Sequence, residues 1–137
     1  MASGWWTWKP LSAIDMLFKS FLLVGAGGMI GSMLRYGCYL LIRSASFPWA
    51  TFTVNIAGSF LIGLLAGYAT RMNDPQNMQL LLATGLCGGF TTFSAFSADN
   101  LRLLNEGKAG IALSYAAASI VLGVLATFLG YKLLTVN

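Results

Sequence analysis

Uncharged hydrogen-bonding side chains are concentrated inside the apolar stretches of this chain. Residues 88–97 read Gly-Gly-Phe-Thr-Thr-Phe-Ser-Ala-Phe-Ser, and an earlier apolar stretch contains Asn55 and Ser59. A third set recurs every four residues toward the C-terminus: Tyr115, Ser119, Gly123 and Thr127. Residues four apart share one face of a helix, so the second and third sets would each present their polar groups together. Amide and hydroxyl groups can donate hydrogen bonds to an anion, although they can equally bond a neighbouring helix.

Arg35 and a run of phenylalanines have both a packing interpretation and a functional one. Arg35 lies inside an apolar stretch, where an arginine costs about 2.5–3.5 kcal/mol on insertion scales. It either extends toward the interface or supplies a fixed positive charge that attracts anions. Phe90, Phe93 and Phe96 recur every three residues, which is ordinary packing or a stripe of ring edges. Ring edges carry the positive part of the aromatic quadrupole and could contact an anion.

These residues are predicted to lie on four membrane-spanning helices. The chain has 137 residues, of which 57% are apolar and only 12 are charged, which excludes an ordinary soluble domain. About 20 apolar residues span a bilayer, and the continuous runs show no period of two, so a helical bundle is expected rather than a barrel. The predicted spans are Ser20–Ile42, Thr51–Ala69, Met78–Ala98 and Gly110–Leu133.

The short polar separators indicate one transmembrane domain, residues 20–133. Residues 1–19 carry Trp5, Trp6 and Trp8 beside Lys9, which predicts an interfacial N-terminal segment. Residues 134–137 form a short C-terminal tail.

The third span is predicted to be broken near its middle. Gly88 and Gly89 each weaken a helix by roughly 1 kcal/mol, and Thr91 and Thr92 can bond back to the backbone. Carbonyl groups freed at such a break persist in a membrane only where they are buried or bound, often by a cation.

Charge counts constrain both orientation and function class. The N-terminus, second loop and C-terminus carry four Lys or Arg, and the other two loops carry three. Such a weak bias tolerates insertion in both orientations, and two oppositely inserted copies would make an antiparallel homodimer. Scattered basic residues give no nucleic-acid footprint, and the absence of His excludes histidine zinc sites and Ser-His-Asp hydrolysis. We therefore expect a non-enzyme.

Three short runs resemble the signature of the Fluc (CrcB) fluoride channels. They are Gly88-Gly-Phe-Thr-Thr-Phe-Ser-Ala-Phe96, Gly28-Met-Ile-Gly-Ser-Met-Leu-Arg-Tyr36 and Thr53-Val-Asn-Ile-Ala-Gly-Ser-Phe60. Their order and spacing match over about residues 20–133. Ala95 stands where the family run usually has Thr. The resemblance implies an all-α membrane protein that forms antiparallel dual-topology homodimers in the bacterial inner membrane.

The same resemblance implies roles for individual residues. Asn55 would donate its amide N–H to fluoride, and Phe93 and Phe96 would present ring edges to it. The remaining pore residues that it implies are Thr92, Ser94, Tyr115 and Ser119.

Three further residues lie outside the implied pore. Arg35 would be a vestibule arginine. Gly88 and Thr91 would hold a structural sodium ion at the dimer centre through backbone carbonyls.

Two other function classes remain open from the residues alone. A dual-topology small-solute or multidrug-type transporter would need a titratable group in its path, and only Asp99 or Tyr115 could serve. A non-transporting assembly protein would use its glycine faces and polar groups for packing alone. Neutral donors and the lack of embedded carboxylates elsewhere favour a passive route for an anion. Together with the resemblance, they predict a passive fluoride channel that lowers the cytoplasmic fluoride concentration. Its partners would be a second copy of itself, fluoride and the bilayer.

Overall fold

Helices account for nearly all of the chain that the computed structural model describes, residues 14–43 and 46–135. They are α1 (Ile14–Leu41), α2 (Trp49–Ala69), α3 (76–90), α4 (Phe93–Asn105) and α5 (Ala109–Thr135). Four spans are long and apolar enough to cross a membrane, and α3 and α4 together form the third. The described residues contain no strand. The prediction of an all-α membrane protein with four spans is confirmed.

The helix ends differ in detail from the predicted spans. Helix α1 begins at Ile14, inside the segment expected to be interfacial, and α5 continues to Thr135. The tryptophans of the N-terminal segment and the last two residues of the tail lie outside the described residues.

Helix α1 packs against α3 along a seam of glycines. A Cβ atom added to Gly27 would overlap the Leu81 carbonyl oxygen, and one added to Gly31 would overlap that of Leu86. In the same contact, a Cβ added to Gly89 on α3 would overlap the Gly28 carbonyl oxygen on α1. Small residues at these positions bring the two backbones into direct contact, as expected for helices in a membrane. We call this contact the glycine seam.

Helices α2 and α5 form the second close pair. A Cβ on Gly63 would overlap the Thr127 carbonyl oxygen, and a Cβ on Gly130 would overlap that of Phe60. The Thr127 hydroxyl also donates to the Ser59 carbonyl oxygen, 3.0 Å away. Gly123 and Thr127, the C-terminal half of the four-residue repeat on α5, therefore face α2, whereas Ser119 lines a groove described below.

The third span changes its helical form before it breaks. Residues Gln79–Cys87 form a π-helix, which has wider turns than an α-helix. One α-helical turn, Gly88–Phe90, follows, and Thr91 and Thr92 are then extended before α4 begins. The predicted break is confirmed, but it follows the glycine pair instead of occurring at it. Phe90 is consequently on a different helix from Phe93 and Phe96, so the three rings do not form one stripe.

We predict that Gly31→Ala destabilises the protein by about 1–3 kcal/mol, because the new methyl group would force α1 away from α3. Gly25→Ala on the same helix is the matched control, since nothing lies within 4 Å of its added Cβ. Thermal unfolding of both variants in detergent would measure the difference. Equal melting temperatures would contradict the importance of the glycine seam.

Candidate functional site

An open groove of about 330 Å³ lies beside the break in the third span. It gathers side chains from α2, α4 and α5 with the extended residues between α3 and α4. Its lining includes five of the residues predicted to form a pore: Asn55, Thr92, Phe93, Phe96 and Ser119. Ser59 also lines the groove, four residues after Asn55 on the same face of α2. The lining contains no charged side chain.

Asn55 holds the extended backbone at Thr92. Its Oδ1 accepts from the Thr92 N–H at 2.8 Å, and its Nδ2 donates to the Thr92 carbonyl oxygen at 3.1 Å. The interhelical hydrogen bond that the sequence allowed is therefore present. An Asn amide nitrogen has two hydrogens, so this bond leaves a second donor. Its predicted donation to an anion stays a prediction.

The start of α4 is fixed by a side-chain cap. The Thr92 hydroxyl accepts from the backbone N–H of Ala95 at 3.1 Å, which is the usual N-cap arrangement. The Ser94 hydroxyl lies 3.1 Å from the Thr92 hydroxyl, and Ser94 is exposed. Ser94 therefore adjoins the groove without being among its lining residues.

The break redirects the hydrogen bonds of two backbone amides. In a continuous helix the Thr92 N–H would bond the Gly88 carbonyl, and the Ala95 N–H would bond that of Thr91. Here the first donates to Asn55 and the second to the Thr92 hydroxyl. The carbonyl oxygens of Gly88 and Thr91 thus lose their helical donors. These are the two oxygens predicted to hold sodium.

Arg35 crosses from α1 to the end of α3. Its Nε donates to the Gly89 carbonyl oxygen at 3.0 Å. A cation is favourable at the C-terminus of a helix, where unpaired carbonyl groups carry partial negative charge. The Arg35 side chain is half-buried, and it lines neither the groove nor the second cavity described below. Its predicted vestibule role stays a prediction.

Two phenylalanine rings stand at one side of the groove. The Phe93 and Phe96 ring centroids are 5.6 Å apart, and the planes are tilted by 34°. Phe93 is 79% exposed in the single chain, whereas Phe96 is half-buried and its ring centroid is 5.1 Å from that of Tyr115. The exposed ring is available to a second molecule or to an ion in the groove.

Two buried hydroxyl groups on α5 have no hydrogen-bond partner among the described residues. They are Tyr115 Oη and Ser119 Oγ. Tyr115 is completely buried within an aromatic cluster, and Ser119 lines the groove. Most buried polar groups in proteins are hydrogen-bonded, so both hydroxyls retain an unused donor on one helix face. Only the Ser119 hydroxyl belongs to the groove lining, and the predicted pore role of Tyr115 stays a prediction.

A second, larger cavity of about 580 Å³ lies where α1, α2 and α4 meet the loop before α2. Thr51 contributes to its wall and donates its hydroxyl hydrogen to Asp99 Oδ2 at 2.7 Å. The Tyr39 hydroxyl lies 3.4 Å from that of Thr51. Sequence reasoning did not select Thr51 or Tyr39. One signal was available, because Thr51 is four residues before Asn55 and continues its helix face.

Backbone oxygens are the available cation ligands at the break. The described residues contain no group of three or more His, Cys, Asp or Glu side chains that could hold a metal. The released carbonyls of Gly88 and Thr91 are oxygen donors of the kind that hard cations prefer. The residues present therefore fit a sodium ion through main-chain oxygens.

Comparison with known proteins identifies the family of the chain. The sequence profile described as "CrcB-like protein, Camphor Resistance" matches residues 22–131. A relative from Rhizobium meliloti, named fluoride-specific ion channel FluC, is 49% identical over 117 residues, which cover 82% of this chain and 94% of that protein. A protein of the same name from Thermus thermophilus is 47% identical over 118 residues, covering 84% of this chain and 94% of the relative.

A third relative, from Bacillus licheniformis, is named fluoride-specific ion channel FluC 2. It is 50% identical over 113 residues, which cover 82% of this chain and 84% of that protein. The region that the family profile matches contains the break, the glycine seam and both polar helix faces. With its four apolar spans, this chain is a multi-pass bacterial membrane protein that belongs to the CrcB family.

Proposed function

We propose that the protein is a passive, fluoride-selective channel that lets fluoride leave the cytoplasm across the inner membrane. The relatives named as fluoride-specific channels support this function. The observation that carries it is the uncharged groove, beside which Tyr115 and Ser119 hold buried hydroxyl groups without partners. Fluoride is small and strongly hydrated, so a pore must replace its water with close hydrogen-bond donors.

The groove lining offers an anion two kinds of contact that differ in strength. Ser119 and the second N–H of Asn55 supply neutral donors, and the Phe93 and Phe96 ring edges supply weaker positive contacts. A guanidinium or ammonium group in the same place would hold the anion too tightly for rapid release. Conduction requires binding that is favourable enough for entry and weak enough for exit. The arrangement moves an ion and forms no covalent bond, so the function is transport, not catalysis.

The transporter alternative lacks a titratable group inside the groove. Asp99 is the only carboxylate that the sequence places at the end of a predicted span, and it lines the second cavity instead. Its hydrogen bond from Thr51 and its ion pair with Arg102 give it partners within the chain. A proton-coupled cycle would need a carboxylate that alternates between substrate and proton in the pathway.

We predict that liposomes containing the purified protein release fluoride when a potassium ionophore is added, without any proton gradient. Chloride-loaded liposomes would show no comparable release, because the larger ion fits the donors poorly. A fluoride electrode and a chloride electrode would record the two experiments in parallel. Release of neither ion from a folded protein would contradict the channel, and release that requires a proton gradient would favour the transporter.

We predict that Phe93→Ile and Phe96→Ile each lower fluoride release about three- to tenfold, because isoleucine fills space without a positive ring edge. Phe93 is mostly exposed in the single chain, so its replacement should leave the fold intact. Phe128→Ile is the matched control, since Phe128 is an exposed ring that does not line the groove. Unchanged release by both pore variants would show that the rings only pack.

The proposed working unit is an antiparallel homodimer of oppositely inserted copies. In the single chain the groove is open on one side, Phe93 is exposed, and nothing lies within 4 Å of a Cβ added to Gly88. A second copy would cover these surfaces with matching apolar ones. The near-equal charge of the two sets of loops, four against three, is compatible with both orientations. Each copy would then help to line a pore.

A sodium ion at the centre of this dimer would be held by the carbonyl oxygens of Gly88 and Thr91 from both copies. The ion would supply positive charge that compensates carbonyl dipoles left without amide donors, which are costly in a membrane. This proposal is supported by the diversion of the Thr92 and Ala95 amides to side-chain acceptors.

We predict that replacing sodium by N-methylglucamine lowers the melting temperature of the dimer by about 5–10 °C, since a ligand bound only to the folded form stabilises it. Size-exclusion chromatography in detergent would also show a larger monomer fraction without sodium. A melting temperature and dimer fraction that do not change with sodium would contradict the site, whether or not the protein conducts fluoride.

A further inference from the structure

The second cavity carries the charged groups that the groove lacks. Its lining contains two guanidinium groups, Arg43 and Arg102, and one carboxylate, Asp99. The cavity lies next to the groove along α2, because Thr51 lines the cavity and Asn55, one helical turn later, lines the groove. An ion that reaches the groove from this end of the bundle would pass these charges.

Asp99 is held on the side of the cavity by two partners. Thr51 donates to its Oδ2 at 2.7 Å, and the Arg102 Nη2 lies 3.8 Å from its Oδ1. The Asp99 side chain is 22% exposed, so its charge reaches the cavity. A carboxylate alone at this place would repel an approaching anion, and the Arg102 guanidinium offsets that repulsion.

The charges that follow α4, on Glu106 and Lys108, do not neutralise Arg102. Glu106 lies 3.5 Å from Arg102, but its closer partner is Lys108, whose Nζ donates at 2.7 Å. The hydrogen bond from Lys108, reinforced by Arg102, also lowers the pKa of the Glu106 carboxyl group. Glu106 and Lys108 compensate each other in charge. The cavity lining consequently keeps a surplus of one positive charge from Arg43, Arg102 and Asp99.

We propose that Arg102, together with Arg43, sets the rate at which anions enter from this end by compensating the Asp99 carboxylate. The inference rests on the proposed channel function and deepens it. Arg102 acts through the electrostatic potential of the cavity and does not contact an ion in the groove. Surface charges at a pore mouth change the local concentration of the permeating ion, and salt screens this effect.

The test compares fluoride release from liposomes at about 20 mM and about 1 M ionic strength, where the Debye length falls to roughly 3 Å. We expect R102Q to release fluoride about threefold more slowly than the unchanged protein at low salt. An effect of this order is expected from one unit charge acting across water. The two should be equal at high salt. R102K, which keeps the charge, should match the unchanged protein at both.

Two further variants separate charge from packing. D99N should raise the low-salt rate, and R102Q combined with D99N should return it to the unchanged value. Arg71→Gln is the control, because Arg71 lies in the exposed turn between α2 and α3 and lines neither cavity.

The outcomes distinguish this inference from the proposed function. A protein that releases no fluoride in any form overturns the channel and the inference together. Release by the unchanged protein that R102Q does not alter overturns the inference alone. A deficit of R102Q that is equal at both salt concentrations, or that R102K shares, would also overturn it, since a structural role does not depend on screening.

Discussion

The two hydrogen bonds between Asn55 and the Thr92 backbone are the contact on which the site depends. An extended residue within a membrane span leaves an N–H and a carbonyl without helical partners, and each costs several kcal/mol in hydrocarbon. One amide side chain satisfies both groups, because it is acceptor and donor at once. The break is stable at this place because α2 positions Asn55 beside Thr92.

Several features of the site follow from a break that is held open. Diverting two amides leaves the Gly88 and Thr91 carbonyls without their helical donors, and Arg35 takes the carbonyl of Gly89 between them. A new helix begins at Phe93, so its ring belongs to α4 and not to α3. The hydroxyl face of α5 completes the groove. Neutral side chains line the groove, while the charged ones, Arg43, Asp99 and Arg102, line the second cavity.

The sequence predicted the helices more fully than the contacts between them. Apolar runs and polar separators identify four spans, and the glycine and threonine pairs identify a break in the third. The position of the break was not predictable, because Gly88 and Gly89 stay helical while Asn55, 37 residues away, fixes Thr92. The Arg35 contact spans 54 residues. Such pairings depend on tertiary packing, which spacing along one helix does not encode.

The glycine seam bears on how tightly the membrane is sealed around this site. Protons cross membranes along files of water, which need a continuous gap and polar partners. Where the backbones of α1 and α3 touch at Gly27, Gly31 and Gly89, no side chains stand between them to leave such a gap. Such a helix pair both stabilises the fold and excludes water from the contact between the two helices. The contact thereby closes one route for protons beside a site that lets a small anion cross.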